Sequence, residues 1–284
     1  LNMKSNYFSL TRVSKIINVS IVLFRFQHLY IILLITNRCI LLPILNKLSS
    51  DSRITGAGHG MGREVALRFA KLGAKLVCVD INPAGNEETV KMINITSKVS
   101  KQVGDVTILI NNAGIMPCKP VLRHSEKEIR TLMDINVNGM LWMIQAFLPA
   151  MLERNYGHIV AMSSMAGKMG LRNLVPYCGS KYAVRGVMEA LAVELHEDPR
   201  DTNGIKFTTV CPYIVNTGLC HNPRIRFQSL MKTVDPGDAA DQIVDAVRRE
   251  YHEITIPNDL YYKNKVCTYG ILTIMCASTC VPSE

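Results

Sequence analysis

The sequence lacks the cysteine patterns that mark metal sites and disulfide frameworks. It contains nine cysteines, but none stands at a paired metal-ligand spacing, and Cys276 and Cys280 have no partnering histidine or further cysteine. Several lie inside apolar runs such as Leu76–Val79, where cysteine usually acts as a small buried hydrophobic residue. We therefore predict no metal site, and reduced thiols in a cytosol-like compartment.

Acidic residues are missing from the first 50 positions, which carry six basic residues. Those six supply most of the formal net charge of +9, so the rest of the chain is nearly neutral. No basic patch interleaved with aromatic residues accompanies this charge, as it would in a nucleic-acid-binding surface. We therefore predict no nucleic-acid partner.

The N-terminal segment, residues 1–53, also lacks an uninterrupted apolar run of membrane-spanning length. Arg25 and Arg38 divide it into pieces shorter than the about 18–20 residues that a clean span needs. Three interpretations follow: a membrane-surface anchor or re-entrant hairpin, a targeting peptide, or a segment that is not native to the domain. The basic, apolar composition favours membrane association.

From residue 54 onward the chain alternates between helical and extended patterns. The predicted elements are helix 63–72, strand 76–80, helix 87–92, strand 106–110, helix 126–153, strand 158–162, helix 177–196, strand 205–210, helix 239–249 and strand 254–257. Such alternation predicts an α/β fold, a doubly wound parallel sheet of the Rossmann type, over residues 54–264. Residues 265–284 form a C-terminal tail.

Two strands depart from the usual pattern of this fold. Only 26 residues separate Asp80 from Val106, which leaves room for about one helix because a βαβ unit takes about 30 residues. The third strand is therefore predicted to be absent, leaving the second strand at an edge. The first strand is predicted to be poor, because Ser49–Ile54 is polar where a central parallel strand is normally apolar.

A glycine-rich turn opens the first helix of the domain. Its residues are Thr55, Gly56, Ala57, Gly58, His59, Gly60, Met61 and Gly62. Small residues let the backbone approach a pyrophosphate, and the helix N-terminus favours negative charge. Asp80 follows 18 residues after Gly62, at the end of a strand, where a carboxylate accepts hydrogen bonds from ribose hydroxyls. The pattern predicts dinucleotide binding, with NAD favoured over NADP because Asp80 would repel a 2′-phosphate.

Tyr177 and Lys181 stand four residues apart on a predicted helix and so share one face. An ammonium beside a phenol stabilises the phenolate and lowers its pKa, which suits a tyrosine for proton transfer near neutral pH. Ser164 lies thirteen residues before Tyr177, just after a strand, and could hold the substrate oxygen. Alone, each residue has an ordinary explanation: a helix-surface pair and a loop serine.

Taken in order, these motifs resemble the short-chain dehydrogenase/reductase family from Thr55 to about Asn264. The resemblance implies that Ser164 orients the substrate oxygen, Tyr177 donates or accepts the proton, and Lys181 assists it and binds the nicotinamide ribose. It adds further residues with implied roles: Asn136, which anchors a water in the proton relay; Asn112, Ala113 and Gly114, which lie along the cofactor; and Pro212 and Thr217, which face the nicotinamide carboxamide.

Within the family, Thr-Gly-Ala-Gly-His-Gly, Gly104–Gly114 and Pro-Tyr-Cys-x-Ser-Lys are similar to the retinol and 17β-hydroxysteroid dehydrogenase branch. That similarity implies a lipophilic alcohol substrate and an N-terminal anchor on the endoplasmic reticulum membrane or a lipid droplet, facing the cytosol. A cytosolic location follows if the tail is not an anchor. It also implies a substrate lid at Leu219–Thr233 and a homodimer through the helices at 126–153 and 177–197.

Two functional hypotheses remain. In the first, the chain is an active NAD-dependent dehydrogenase of a retinoid, steroid or other lipid alcohol. In the second, it is a catalytically impaired, membrane-associated relative with a binding or structural role. The complete proton-transfer set favours the first, and the missing third strand with the polar first strand favours the second.

Overall fold

The computed structural model describes residues 19–26, 29–36, 51–96, 106–220, 223–224, 233–258, 260 and 279–280. The chain divides into two compact units, residues 1–45 and residues 46–284. In the first unit, β1 (Val19–Phe26) and β2 (Leu29–Thr36) pair as an antiparallel hairpin. The side chains of residues 1–50 lie outside the described residues, so the interpretation of the N-terminal tail stays a prediction, whereas residues 51–53 belong to a strand of the second unit.

The second unit is built on a six-stranded parallel sheet. Its strands are β3 (Asp51–Thr55), β4 (Lys75–Val79), β5 (Ile108–Asn111), β6 (Gly157–Met162), β7 (Ile205–Pro212) and β9 (Glu253–Ile256), in the order β4-β3-β5-β6-β7-β9. A small antiparallel pair joins β8 (Pro223–Arg224) to β10 (Thr279–Cys280). The predicted α/β class and doubly wound parallel sheet are confirmed.

Helices cover both faces of this sheet. They are α1 (Gly60–Lys71), α2 (Pro83–Thr96), α3 (Glu126–Met133), α4 (Gly139–Glu153), α5 (Val175–His196) and α6 (Pro236–Arg248). One apolar cluster packs α1 and α6 against one face, and a second packs α4 and α5 against the other. This two-layer covering buries the apolar strands and directs their carboxyl ends toward one edge, where ligands bind in folds of this kind.

The predicted helix at 126–153 is interrupted by one π turn at Asp134–Asn138, which separates α3 from α4. A π turn holds one residue more than an α-helical turn and is frequent at functional sites. Among the described residues, this stretch is also the one helix long and apolar enough to cross a membrane. Met140, Ile144 and Met151 are buried in the core, but only 28% of the apolar stretch is buried, so core packing accounts for part of its apolar composition.

The central strand β3 forms despite its polar sequence. It pairs in parallel with β4 on one side and β5 on the other. Its residues alternate: Ser52 and Ile54 are fully buried, whereas Arg53 turns to the other face with its guanidinium 4.9 Å from the Phe147 ring centroid. A cation over an aromatic face offsets part of the cost of desolvating the arginine.

The edge position of β4 agrees with the predicted loss of the third strand. Within the described part of the chain, β3 is the one strand that pairs with β4. Helix α2 follows β4 directly and ends at Thr96. Residues 97–105, which complete the shortened connection, lie outside the described residues.

Candidate active site

The glycine-rich turn connects β3 to α1 and leaves no space for side chains. Gly56 and Gly60 have φ of 67° and 57°, a region that glycine occupies without strain. A Cβ on Gly62 would lie 2.0 Å from the Gly56 carbonyl oxygen, and one on Gly58 would lie 2.8 Å from the Asp80 carboxylate. The exposed His59 is the N-cap of α1, and its side chain makes no cap hydrogen bond. The first N–H groups of α1 are therefore not capped by the His59 side chain, which leaves them available to an anion.

Asp80 orders this turn through its carboxylate. Its Oδ2 accepts from the Gly58 N–H at 2.7 Å, and its Oδ1 accepts from the Asn82 N–H at 2.8 Å. The side chain is half-buried at the end of β4. Asp80 therefore lies beside the glycine turn, where the sequence predicted a carboxylate that could bind a ribose.

Helix α2 packs against the glycine-rich turn, and its contacting residues belong to none of the predicted motifs. The buried Thr89 hydroxyl donates to the Ala57 carbonyl at 2.9 Å and accepts from Arg63 Nε at 3.0 Å. The Arg63 guanidinium also donates to the Gly58 carbonyl and to Glu88. No short-range pattern reveals these contacts, because Arg63 and Thr89 lie 26 residues apart.

The Asn111–Gly114 segment joins the turn to the rest of the site. The Asn112 amide donates to the carbonyls of Thr55 and Gly56, at 2.9 and 3.2 Å, while the Thr55 hydroxyl accepts from the N–H groups of Asn112 and Ala113. A Cβ on Gly114 would lie 3.3 Å from Asn136 Oδ1 and 3.5 Å from Lys181 Nζ. The segment therefore links the glycine turn with Asn136 and Lys181.

Asn136 lies in the π turn and is 3% exposed. Its side-chain amide accepts from the Ile115 N–H at 2.9 Å, donates to the Ile115 carbonyl at 3.0 Å and donates to the Ser180 hydroxyl at 3.0 Å. These bonds hold Asn136 between the β5 loop and α5. The role in a proton relay that the family resemblance implies for Asn136 stays a prediction.

Tyr177 and Lys181 lie on α5 and are both buried. Lys181 Nζ is 5.6 Å from the centroid of the Tyr177 ring and donates to the Met162 carbonyl at 2.8 Å. Burial lowers the pKa of Lys181 to about 8, because the ammonium is fully desolvated. Helix α5 therefore carries the Tyr177 phenol beside an ammonium, that of Lys181, which can lose its own proton close to neutral pH.

Ser164 caps a short 3-10 turn at the end of β6. Its hydroxyl accepts from the Ala166 N–H at 3.1 Å and donates weakly to the Pro212 carbonyl at 3.4 Å. Thr217 lies across from the glycine turn, since a Cβ on Gly60 would lie 3.0 Å from the Thr217 Cβ. The carboxyl ends of β6 and β7 therefore approach the N-terminus of α1.

These elements enclose a small cleft that opens to solvent. Five predicted site residues line it: Met61, Ser164, Tyr177, Pro212 and Thr217. The rest of its wall is mainly apolar and includes Met116, Met165, Leu171, Leu174, Tyr213, Ile214, Val215 and Leu219. Most of these apolar residues follow no motif. Of the predicted lid, Ile225, Phe227, Leu230 and Met231 lie outside the described residues.

The buried ammonium leads to a stability prediction. At neutral pH the Lys181→Met variant should be more stable than the wild type by about 1–3 kcal/mol, because a desolvated cation is costly. The Lys181 pKa is about 8 in the folded protein, against an ordinary value of 10.5. Between pH 8 and pH 10.5 the unfolded chain therefore binds more protons than the folded one, so the free energy of unfolding of the wild type increases with pH in this range. The stability advantage of Lys181→Met over the wild type becomes smaller as a result.

Urea unfolding at several pH values measures this difference. The exposed Lys71→Met variant is the control and should stay within about 0.5 kcal/mol of the wild type. A Lys181→Met variant that unfolds at a lower urea concentration at pH 7 would contradict the prediction.

Comparison with known proteins agrees with this geometry. The family model for short chain dehydrogenases matches residues 87–224. Human epidermal retinol dehydrogenase 2 is 39% identical, with 74% of each chain covered. Rat 17-beta-hydroxysteroid dehydrogenase 13 is 36% identical, with 72% of this chain and 74% of that one covered.

Among solved structures, a short chain dehydrogenase/reductase from Burkholderia phymatum in complex with NAD aligns with a TM-score of 0.68. It is 22% identical and covers 83% of this chain and 96% of that one, so it supports the fold alone. The family assignment depends on the retinol and hydroxysteroid dehydrogenases, which match about three quarters of the chain at well above 30% identity. The chain belongs to the short-chain dehydrogenase/reductase family of oxidoreductases.

Proposed function

We propose that this protein is an NAD-dependent dehydrogenase of a lipophilic alcohol, with Tyr177 as the acid/base. The observation that carries the proposal is the joint placement of Tyr177 and Ser164 in one apolar cleft, with Lys181 Nζ buried 5.6 Å from the tyrosine ring. A hydroxyl that accepts or returns a substrate proton must lie where the substrate lies. Tyr177 lines the cleft beside Ser164, which supports this role.

Each residue of the set then has a distinct task. Ser164 holds the substrate oxygen by a hydrogen bond, and Tyr177 exchanges the hydroxyl proton with it. The Lys181 ammonium stabilises the phenolate of Tyr177 electrostatically, an effect strengthened by burial. Asn136, fixed by the Ile115 backbone and Ser180, holds the polar end of a relay that returns protons to solvent.

The residues around the glycine turn fit a dinucleotide. The glycines of the turn lie so close to neighbouring protein atoms that no side chain fits there, the N-terminus of α1 has no side-chain cap, and Asp80 lies beside the turn. Asp80 would accept from ribose hydroxyls and would repel a 2′-phosphate, which supports NAD over NADP. When bound, the nicotinamide would supply the hydride acceptor or donor.

The character of the cleft supports a lipophilic substrate. Leucine, methionine, valine and isoleucine side chains form most of its wall, and the hydroxyl groups come from Ser163, Ser164, Tyr177, Tyr213 and Thr217. Such a wall favours an apolar molecule with one hydroxyl or carbonyl at the polar end. Relatives named for retinol and for 17β-hydroxysteroids point to the same class.

We also propose attachment to the endoplasmic reticulum membrane or a lipid droplet. The basic, apolar N-terminal residues 1–50 support it, because a lipid surface attracts both apolar and cationic residues. A homodimer through α4 and α5 is proposed as well. Trp142 on α4 and Val193 on α5 are 61% and 52% exposed, and such apolar surface is typical of an interface.

A catalytically impaired relative with a binding or structural role is the second candidate. The edge position of β4 favours it, because in the described residues no third strand covers that side of the sheet beside Asp80. An open wall would weaken adenine binding. Cofactor affinity therefore distinguishes the two candidates.

The test uses the full chain in detergent or lipid vesicles. NAD titration by calorimetry should give measurable binding, tighter than that of NADP. Reduced nicotinamide should then form with retinol, a 17β-hydroxysteroid or a long-chain alcohol, and much more slowly with ethanol. Absence of NAD binding at about millimolar NAD, a concentration at which even a weak cofactor site would be occupied, would refute the proposed dehydrogenase activity. Equal activity with ethanol would refute the lipophilic substrate.

A further inference from the structure

Glu253 is the centre of a charged cluster that the catalytic motifs do not include. It is the first residue of β9, and its side chain is 24% exposed. Its carboxylate accepts from Lys168 Nζ through Oε1 and from Arg185 Nε through Oε2, the latter at 2.8 Å. Lys168 is nearly buried, with 8% of its side chain exposed. A charge this desolvated on a lysine requires a partner, and Glu253 provides it.

The two cations belong to the two elements that carry the catalytic residues. Lys168 directly follows the 3-10 turn at Met165–Gly167, which is capped by Ser164. Arg185 lies one helical turn after Lys181 on α5. Its Nη1 donates to the Gly167 carbonyl at 3.1 Å, so one guanidinium binds both Glu253 and the serine turn.

The third element in the cluster is β7. Cys211, which precedes Pro212, has its buried thiol 3.9 Å from Glu253 Oε2. On the inner side, the Ser163 hydroxyl donates to the Lys181 carbonyl at 2.9 Å. Contacts through Glu253 and Ser163 therefore connect the Ser164 turn to α5 from two sides.

The cluster stays charged under ordinary conditions. Burial raises the pKa of Glu253, but the hydrogen bonds from Lys168 and Arg185 outweigh it, and the pKa lies below its usual value. Burial raises the pKa of the Cys211 thiol to about 12, and Glu253 adds to this. The thiol is thus neutral beside an ionised carboxylate.

We propose that Glu253 is a positioning residue for the dehydrogenase reaction. By holding Lys168 and Arg185, it fixes the turn that carries Ser164 against the helix that carries Tyr177 and Lys181. The proposal rests on the proposed function for its catalytic part. Reactions of this kind are sensitive to the placement of the substrate oxygen, since a displacement of about 1 Å can cost about 100-fold in rate.

Glu253→Gln tests this positioning, because glutamine keeps the shape of the side chain and removes its charge. We expect kcat with the alcohol substrate to fall about 10–100-fold, while the Kd for NAD changes less than about twofold. The glycine turn and Asp80 follow β3 and β4, on the opposite side of the sheet from β9, so NAD binding would be affected by a general loss of structure but not by a local change at Glu253. The Kd therefore separates a positioning role from a structural one.

Glu250→Gln is the matched control. Glu250 lies three residues earlier, its side chain is 32% exposed, and it pairs with Lys206 at 3.5 Å, in a contact remote from Ser164. It should retain wild-type kcat. An equal loss in Glu253→Gln and Glu250→Gln would overturn the proposal. Should Glu253→Gln not fold, Arg185→Met replaces it, since methionine keeps an unbranched apolar chain but removes the bonds to Glu253 and to the Gly167 carbonyl; unchanged kcat would then overturn the proposal.

Hydrogen exchange gives a readout that does not need turnover. The N–H groups of Ala166 and Lys168 are bonded within the serine turn, to Ser164 Oγ and the Met165 carbonyl. They should exchange faster in Glu253→Gln than in Glu250→Gln. Unchanged exchange would refute the positioning role even in an inactive protein. Faster exchange in Glu253→Gln with unchanged kcat would also overturn the positioning role. A wild-type protein that turns over no alcohol would refute the proposed function but not the positioning role.

Discussion

Tyr177→Phe should lower kcat by about 10²–10⁴-fold, the usual contribution of a positioned acid/base. The variant lacks only the phenolic oxygen, and its ring keeps the packing of the buried cluster around Leu132, Leu174 and Cys178. We therefore expect the fold to be unchanged and the Kd for NAD to remain within about threefold of the wild type. Steady-state kinetics and calorimetric titration measure the two quantities.

Tyr182→Phe controls for the loss of a phenol from the same helix. Tyr182 is 45% exposed and does not line the cleft, so its variant should keep wild-type turnover. If Tyr177→Phe turned over its substrate at a rate comparable to Tyr182→Phe, the proton would have to come from another group, and the assignment of Tyr177 would be wrong.

Gly62→Ala should abolish NAD binding at accessible concentrations and lower the free energy of unfolding by about 2–4 kcal/mol. The added Cβ would lie 2.0 Å from the Gly56 carbonyl oxygen and 2.5 Å from Asn112 Nδ2. Both neighbours are held by the bond from Asn112 to Gly56, so neither can move without opening the turn. Calorimetry and denaturant unfolding measure the two effects.

Gly186→Ala is the corresponding control on α5. A Cβ there meets no atom within 4 Å, so the exchange should be neutral or should stabilise the helix by about 0.5–1 kcal/mol. Wild-type NAD affinity in Gly62→Ala would show that the turn does not bind the cofactor as proposed.

Local patterns predicted most elements of the sheet and its helices, because strand and helix periodicities are short-range properties. Strand β6 at Gly157–Met162 and helix α5 at Val175–His196 differ from their predicted bounds by at most two residues. Tyr177 and Lys181 share one face of α5, as their spacing required. The order of the strands followed from the general topology of doubly wound sheets.

Contacts between distant segments could not be predicted in this way. Glu253 meets Lys168 across 85 residues, and Asp80 binds the Gly58 N–H across 22. No repeating pattern in the sequence indicates either pairing, because each one depends on which segments the fold brings close together. The polar strand β3 is similar: Arg53 is accommodated by Phe147, on a helix that is distant in sequence.

The π turn at Asp134–Asn138 makes the site dependent on the number of residues in the chain as well as on their identity. The Gly139 N–H bonds to the Asp134 carbonyl, five residues back, where a regular α-helix would reach back four. Removing one residue here would restore the α-helical register and rotate the helix before the deletion by about 100° relative to the helix after it. The direction of the Asn136 amide toward Ile115 thus depends on the number of residues in the turn, and deleting one residue within 134–138 should displace this amide and break its bonds to Ile115 and Ser180.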